Sequence, residues 1–306
     1  MAAPGLSVTS NFAGKAAGFY ISAALKQATS LDFLTMIENV KYKSNIQQMA
    51  GANLVTDATC DFTEQGTLDL TEKVLEPKNL QINVDLCKLT LLSSWEALEM
   101  RAGAGAPAPA SFNDYVISYM GGIIANATED SVWAGIGATG QFQGFLGTNG
   151  FLMPTGTNAD ATVVQDAGAV PYTAANIVAN LTDAVGVIPA AVIRHEDLHI
   201  YMSPATYSFY ISAVSTLGYV NAYNMQGDYQ PLFNGIKIAV CPGMLNNEVV
   251  IAQKSNLFFG TDLLSDATRI DLLDMSTLDG SDNMRLVARY SAGVQSGVGA
   301  DIVRQA

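Results

Sequence analysis

Both histidines of the chain lie in one short segment whose spacing is that of a zinc site. His195, Glu196 and His199 form an H-E-x-x-H string. On a helix, the two imidazoles of such a string lie one turn apart and bind zinc, while the glutamate activates a water molecule. A distant carboxylate such as Glu248 would supply a third ligand. The string would therefore make the chain a zinc metallohydrolase if residues 195–199 formed a helix.

The residues that follow favour a strand over that helix. Residues 198–203 alternate between apolar and more polar side chains, which is the period of a strand. Ser203 is a good helix N-cap and Pro204 a good first helical residue, so a new helix is predicted to begin there. In an extended chain His195 and His199 would be about 13 Å apart, too far to share an ion. We therefore predict no metal site, and the zinc hydrolase is kept as a remote alternative.

A second motif is the G-x-G-x-x-G string at residues 135–140. It would bind a dinucleotide only between a strand and a following helix. Here a predicted long helix precedes the glycines and a loop follows them, so they are expected to permit positive φ angles where the helix ends. The sequence holds no nucleophile elbow, no phosphate-binding P-loop and no cysteine paired with a plausible base. We therefore predict no catalytic residue and no cofactor.

The composition is that of a folded, acidic protein. Of the 306 residues 49% are hydrophobic, and only 14% are charged, against about 25% in average soluble domains. So low a charge content suggests a surface that is covered by partners. The net charge is −13; residues 1–50, with four lysines and two acidic residues, carry +2, and the remainder carries −15. An acidic body argues against direct nucleic-acid binding, which needs basic residues to displace counterions from phosphates.

The three cysteines, Cys60, Cys87 and Cys241, are far apart and lack any C-x-x-C spacing. Their odd number and wide spacing predict reduced thiols of an intracellular product. The first residues lack the charged and apolar regions of a signal peptide, and no apolar run approaches the roughly 20 residues of a membrane helix. We therefore expect neither secretion nor a membrane span.

The clearest element is a long helix over residues 111–134. Its apolar residues recur at i, i+3, i+4 spacing, and Ser111 with Asp114 forms a capping box. A linker rich in alanine, glycine and proline (102–110) precedes it, and a glycine-rich loop (135–150) follows it. About 24 residues at 1.5 Å each make a helix of roughly 36 Å, long for a globular domain.

Strands are predicted on both sides of this helix. Alternation over residues 80–86 predicts a half-buried strand, and Cys60 and Phe62 are expected to face Leu68 and Leu70 across a turn at 64–66. This hairpin has few apolar anchors and is expected to project from the body. The other predicted elements are an arm with helical turns in the first 50 residues, helices at 173–185 and from 204, and strands at 198–203, 236–240, 249–252, 269–275 and 284–290, the last two as a hairpin.

The order of these parts resembles that of the major capsid proteins of tailed bacteriophages, the Hong Kong 97 type. The residues that carry the resemblance are the acidic-then-glycine exit of the long helix (129–137), the step after it (141–146), the strand-into-helix at 200–207, and the segments 233–238, 258–262 and 284–289. The resemblance implies an α+β fold with an N-terminal arm, an extended β-hairpin loop, a long spine helix, a peripheral domain and an axial domain. Its implied limits are the arm at 1–39, the extended loop at 40–77, the peripheral domain at 78–144 and 254–306 with the spine helix at 111–134, and the axial domain at 145–253.

By the same resemblance, the chain is a structural protein that self-assembles into the icosahedral shell enclosing a phage genome, and not an enzyme. The implied partners are other copies of the chain in hexamers and pentamers, scaffolding, portal and decoration proteins, and packaged double-stranded DNA without sequence-specific contact. The implied location is the virion, after assembly in the host cytoplasm, with no membrane partner. The alternative is an encapsulin-type compartment, which shares the fold and encloses a cargo enzyme.

Overall fold

The structure of the protein is a computed structural model that describes residues 28–52, 54–58, 60, 64, 66–87, 110–168, 171–216, 231–262, 270–278 and 280–306. The predicted arm up to residue 27 and the predicted linker up to residue 109 lie outside the described residues, as does Phe62.

The described residues form both helices and strands, as predicted for an α+β chain. The strands are β1 (Thr35–Ile37), β2 (Ser44–Ala52), β3 (Thr67–Leu75), β4 (Lys78–Cys87), β5 (Val164–Asp166), β6 (Leu198–Met202), β7 (Leu232–Phe233), β8 (Ile236–Val240), β9 (Val249–Gln253), β10 (Leu257–Gly260), β11 (Ile270–Asp274), β12 (Asn283–Ser296) and β13 (Val303–Gln305). The helices are α1 (Ala110–Ala134), α2 (Ile177–Gly186) and α3 (Pro204–Thr216), and a 3-10 turn at Thr29–Phe33 precedes β1.

The long helix predicted over 111–134 is confirmed as α1. The helix predicted from residue 173 begins later, at Ile177, and residues 174–176 form a turn before it, in which the Asn176 side chain accepts a hydrogen bond from the Thr173 N–H (2.7 Å). No helix in the described part of the chain is both long and apolar enough to span a membrane.

One sheet is built around the long strand β12. This strand pairs antiparallel with β4 from Asn283 to Ala292, with β11 along its other edge and with β10 at its end. The pairing of β11 with β12 confirms the predicted C-terminal hairpin. Strand β1 adds to β10 in parallel. Helix α1 packs on this sheet through Val116, which contacts an apolar cluster that includes Leu86 and Leu286.

A second sheet has six strands in the order β5-β13-β9-β6-β8-β7. All five residues of β6 are buried, because β8 and β9 flank it, α2 and α3 cover one face of the sheet, and Tyr201 on the other face packs against Trp133. The two sheets share a core at the C-terminal end of α1. There the Trp133 ring lies 5.5 Å from the Phe145 ring and 5.4 Å from the Tyr201 ring, measured between ring centroids. Helix end, glycine-rich loop and β6 are therefore fixed to one another.

Among the described residues, strands β2 and β3 pair only with each other, and they form a two-stranded ribbon. The predicted register is wrong: Leu68 pairs with Gly51 and Leu70 with Met49, not with Cys60 and Phe62. A long connection, residues 53–66, replaces the predicted tight turn. The error has a physical cause. A strand without buried residues has no core-facing side chains to set its register, and no residue of β2 is buried.

Candidate functional site

The H-E-x-x-H string does not form the helix that a zinc site requires. His195 lies in a turn and His199 lies in β6, so the strand prediction is confirmed and the metallohydrolase geometry is not formed. The predicted N-cap is also confirmed, because the Ser203 hydroxyl accepts a hydrogen bond from the Thr206 N–H (3.2 Å) at the start of α3.

The groups proposed as zinc ligands have other partners. The Nδ1 atom of His199 lies 2.7 Å from the Asp197 carbonyl oxygen, and burial lowers the pKa of this imidazole. The Glu248 carboxylate accepts a hydrogen bond from the Arg304 guanidinium (Nε to Oε2, 3.0 Å). Among the residues that the structure describes, no three His, Cys, Asp or Glu side chains are grouped so that they could hold a metal ion.

The glycine-rich loop covers the end of α1. The Phe145 N–H donates to the Val132 carbonyl (2.9 Å) and the Leu146 N–H to the Trp133 carbonyl (2.7 Å), which satisfies carbonyls that the helix leaves unpaired. The expected positive φ angles occur at Gly137 and Gly140. The glycines of the G-x-G-x-x-G string therefore lie where a helix ends and give the chain the backbone angles that it needs there.

A lysine ties this loop to the first sheet. The ammonium group of Lys78, at the start of β4, donates to the carbonyl oxygens of Gly137 (2.8 Å), Ala138 (2.7 Å) and Gln141 (2.9 Å). Three carbonyl oxygens around one ammonium fix the path of residues 137–141. The sequence did not indicate this contact, since an isolated lysine at a strand start carries no signal.

A buried carboxylate joins three distant segments. The Glu129 side chain of α1 is fully buried and accepts hydrogen bonds from the Ser30 hydroxyl (2.6 Å), the Ser30 N–H (3.1 Å) and the Gly243 N–H (3.1 Å). The Ser30 hydroxyl in turn accepts from the Trp133 indole N–H (2.7 Å). We call these four residues the Glu129 cluster. It fixes the 3-10 turn and the loop after β8 to the long helix.

The ribbon exposes apolar side chains on one face. By the register, Met49, Leu68 and Leu70 share a face, and Leu54 lies over Gly51 on that same face. These four side chains, which we call the apolar stripe, are 54–66% exposed. The sequence prediction that the hairpin is too polar to pack missed them, because the stripe becomes visible only once the register is known. Exposed apolar groups at such density indicate a surface that a partner covers.

The base of the ribbon is held by an ion pair. The Lys73 ammonium of β3 contacts the Asp160 carboxylate and the Ser296 hydroxyl, and Gln295 donates to the Val74 carbonyl (2.9 Å). Burial of the Asp160 carboxyl raises its pKa, but hydrogen bonds from Lys73 and from Thr162 outweigh burial and hold the pKa below its usual value. The ribbon is therefore fixed at its base while its far half is exposed.

This ion pair predicts a pH-dependent contribution to stability. Because the folded-state pKa of Asp160 is lowered, its contribution is present above the ordinary carboxyl pKa of about 4 and is lost as the pH falls further. We expect Asp160→Asn to lower the free energy of unfolding by about 1 kcal/mol at pH 7, and the difference from wild type to shrink steadily as the pH falls below about 4. Denaturant unfolding at several pH values measures the difference in free energy of unfolding between the variant and the wild type. The control is Glu76→Gln, which removes an exposed ion pair with Lys43. A difference that does not change with pH would contradict the assignment.

No protein-family model and no curated protein matches the chain. Solved structures do match it. Across 98% of its length the chain is similar to the capsid of a native GTA particle computed with C5 symmetry (94% of that chain, 12% identity, TM-score 0.61). Across 99% it is similar to the capsid of the Myoviridae phage XM1 (99% of that chain, 9% identity, TM-score 0.60). Across 94% it is similar to the capsid of the cyanophage P-SCSP1u (90% of that chain, 12% identity, TM-score 0.59). The chain therefore has the fold of these capsid structures, and the predicted fold class is confirmed.

Proposed function

We propose that the chain is a major capsid protein that self-assembles into the icosahedral shell enclosing a phage genome. The observation that carries this proposal is the extent of the fold likeness, which takes in nearly the whole of this chain and nearly the whole of the capsid chains. Because the similarity covers nearly all of both chains, few residues of either chain remain outside the shared fold for a separate activity. The predicted absence of catalytic residues and of a cofactor belongs to the same proposal.

The domain limits that the resemblance implies form part of the proposal. Residues 145–253 would be an axial domain that meets its copies around fivefold and sixfold axes, and residues 78–144 and 254–306 a peripheral domain with α1 as the spine helix. The last strand, β13, adds to the sheet of the axial domain. Residues 1–39 would be the arm and 40–77 the extended loop, whose described part contains the ribbon.

The apolar stripe supports assembly on physical grounds. A two-stranded ribbon with no core of its own is marginally stable in water, and this one also exposes the four side chains of the apolar stripe. Packing the stripe against a neighbouring copy would stabilise the ribbon and would remove its apolar side chains from water. Each contact between copies can be weak, because closure of a shell makes every further contact effectively intramolecular. Weak contacts also let wrongly placed copies leave before closure.

The partners follow from the same proposal. Copies of the chain would form pentamers and hexamers, and scaffolding, portal and decoration proteins would join them. Packaged double-stranded DNA would make no sequence-specific contact, because a chain with a net charge of −13 repels phosphates. The location would be the virion, after assembly in the host cytoplasm.

An encapsulin-type compartment is the second candidate, since its shell would use the same fold and the same apolar stripe. The content of native particles separates the two. We expect particles from the native source to contain double-stranded DNA, detected by nuclease digestion after the shell is opened. Particles that contain an enzyme and no genome would favour the compartment.

Electron microscopy of the purified full-length chain tests the proposal directly. We expect closed icosahedral particles, or rings of five and six copies that close into particles as the concentration rises, and no change when a chelator is added. A chain that stays monomeric at every concentration and binds about one zinc ion per copy would contradict the capsid proposal and revive the hydrolase. His195→Ala with His199→Ala is the matched variant, and it is expected to assemble as the wild type does.

A further inference from the structure

An open pocket lies at the end of the second sheet where the parallel strands β6 and β8 begin. Its volume is about 840 Å³, and small-molecule pockets have volumes of roughly 300–1,000 Å³. Three buried apolar side chains line it, those of Val185, Leu198 and Ile236. They come from the last turn of α2 and from the first residues of β6 and β8. We call this feature the β6–β8 pocket.

Two turns form the walls of the β6–β8 pocket. One belongs to the connection between α2 and β6, where the His195 N–H donates to the Val192 carbonyl (3.0 Å) and the Leu198 N–H donates to the His195 carbonyl (3.2 Å). The other is the two-residue turn Asn234-Gly235 between β7 and β8, in which both residues have positive φ angles. Because hydrogen bonds hold the backbone of both turns, the pocket is formed before any ligand binds.

Basic side chains line the same pocket. Arg194 and His195 belong to the first turn and Lys237 to the start of β8, and all three are exposed. Within the described part of the chain neither Arg194 nor Lys237 is in an ion pair, while His195 lies 3.8 Å from the Asp197 carboxylate. Among the described residues that line the pocket, Glu196 carries the one carboxylate. Two cations of the pocket are therefore available to an anionic ligand.

The imidazole of His199 responds to this positive charge. Burial lowers its pKa most, and the charges of Lys237 and Lys254 lower the pKa further. The carbonyl and the carboxylate of Asp197 act in the opposite direction, but the carboxylate has a smaller effect than Lys237 alone. The electrostatic potential beside the pocket is therefore positive, in a chain whose net charge is −13.

We propose that the β6–β8 pocket binds a nucleoside phosphate as a ligand. Arg194 and Lys237 hold the phosphate groups through charge-assisted hydrogen bonds, and the base packs on the three buried apolar side chains. The Asn234 side chain, which has no hydrogen bond within the described part of the chain, offers an amide donor and an acceptor to the edge of the base. This binding goes beyond shell formation and does not depend on it.

Equilibrium dialysis of the purified full-length chain against labelled ATP, in magnesium-free buffer, tests the binding. We expect saturable binding of about one ATP per copy. Adenosine and inorganic triphosphate are each expected to bind at least about tenfold more weakly, because each lacks one of the two kinds of contact. Short double-stranded DNA at the same phosphate concentration is expected to leave ATP bound. If triphosphate bound as tightly as ATP, or if DNA displaced ATP, the proposal of a nucleoside phosphate site would be wrong.

Charge variants separate the pocket from general attraction. Arg194→Gln with Lys237→Gln is expected to weaken ATP binding at least about tenfold. Lys41→Gln with Arg289→Gln makes the same change of charge at exposed residues outside the pocket and is expected to leave ATP binding unchanged. Glu196→Gln removes a repelling carboxylate and is expected to tighten ATP binding about two- to threefold.

Thermal unfolding followed by circular dichroism shows whether each of these variants folds. An equal loss of ATP binding in the two double variants would overturn the site, since general attraction to cations would then explain the binding. A failure of ATP to bind the wild-type chain would overturn it as well. Neither result bears on shell formation, which electron microscopy of the same chain tests separately.

Discussion

Replacing Glu129 by alanine is expected to lower the free energy of unfolding by about 3–5 kcal/mol. The carboxylate is fully buried and accepts three hydrogen bonds, two from Ser30 and one from Gly243. Its removal leaves those donors without an acceptor where no solvent reaches them, and it leaves a cavity beside Trp133. The 3-10 turn before β1 and the loop after β8 would both lose their attachment to α1.

Equilibrium denaturant unfolding, at a concentration at which the chain is monomeric, measures this loss. Glu129→Gln keeps one acceptor but places an amide N–H₂ against a donor, so it is expected to cost about 1–3 kcal/mol. Asp130→Ala changes the next residue, whose side chain is partly exposed, and is expected to cost less than about 1 kcal/mol. If Glu129→Ala were no less stable than Asp130→Ala, the cluster would not have the role assigned to it.

The Glu129 cluster shows what sequence reasoning could not reach. Glu129 and Trp133 were identified as part of the exit from a long helix, and α1 is where it was predicted. A glutamate in a helix is most often exposed, so nothing in the sequence indicates that this one is buried. Its partners Ser30 and Gly243 are 99 and 114 residues away. Local patterns predict local elements, while contacts at that separation depend on the whole topology.

Prediction from periodicity succeeded for β6 and failed for the ribbon. Strand β6 alternates, is followed by a capped helix, and was predicted to within one residue, which was enough to favour the strand over the helix that a zinc site requires. No residue of β2 is buried and only Leu75 of β3 is, so the ribbon has almost no core-facing side chains by which a register could be chosen. Because the ribbon packs on no core, the apolar stripe could not be recognised from the sequence. For the same reason the side chains of the stripe are exposed in the structure, which makes the stripe a candidate assembly surface.

Replacing Gly147 by alanine is expected to lower the free energy of unfolding by about 3 kcal/mol. A Cβ atom at this buried residue would lie 2.0 Å from the Gly135 carbonyl oxygen and 2.9 Å from the Ala134 carbonyl oxygen. Both are backbone atoms at the end of α1, so neither can rotate away as a side chain could. The loop must shift, and the hydrogen bonds from Phe145 and Leu146 that cover the end of the helix are then lengthened or lost.

Gly121→Ala is the matched control, because the same chemical change occurs in the middle of α1 with no atom within 4 Å. There it is expected to raise stability by about 0.5–1 kcal/mol, the helix preference of alanine over glycine. Denaturant unfolding of the two variants should therefore shift in opposite directions, and amide exchange at Phe145 and Leu146 should quicken only in Gly147→Ala. Equal shifts in the two variants would mean that residues 135–147 tolerate displacement. In that case, close backbone packing would not be the reason for a glycine at residue 147.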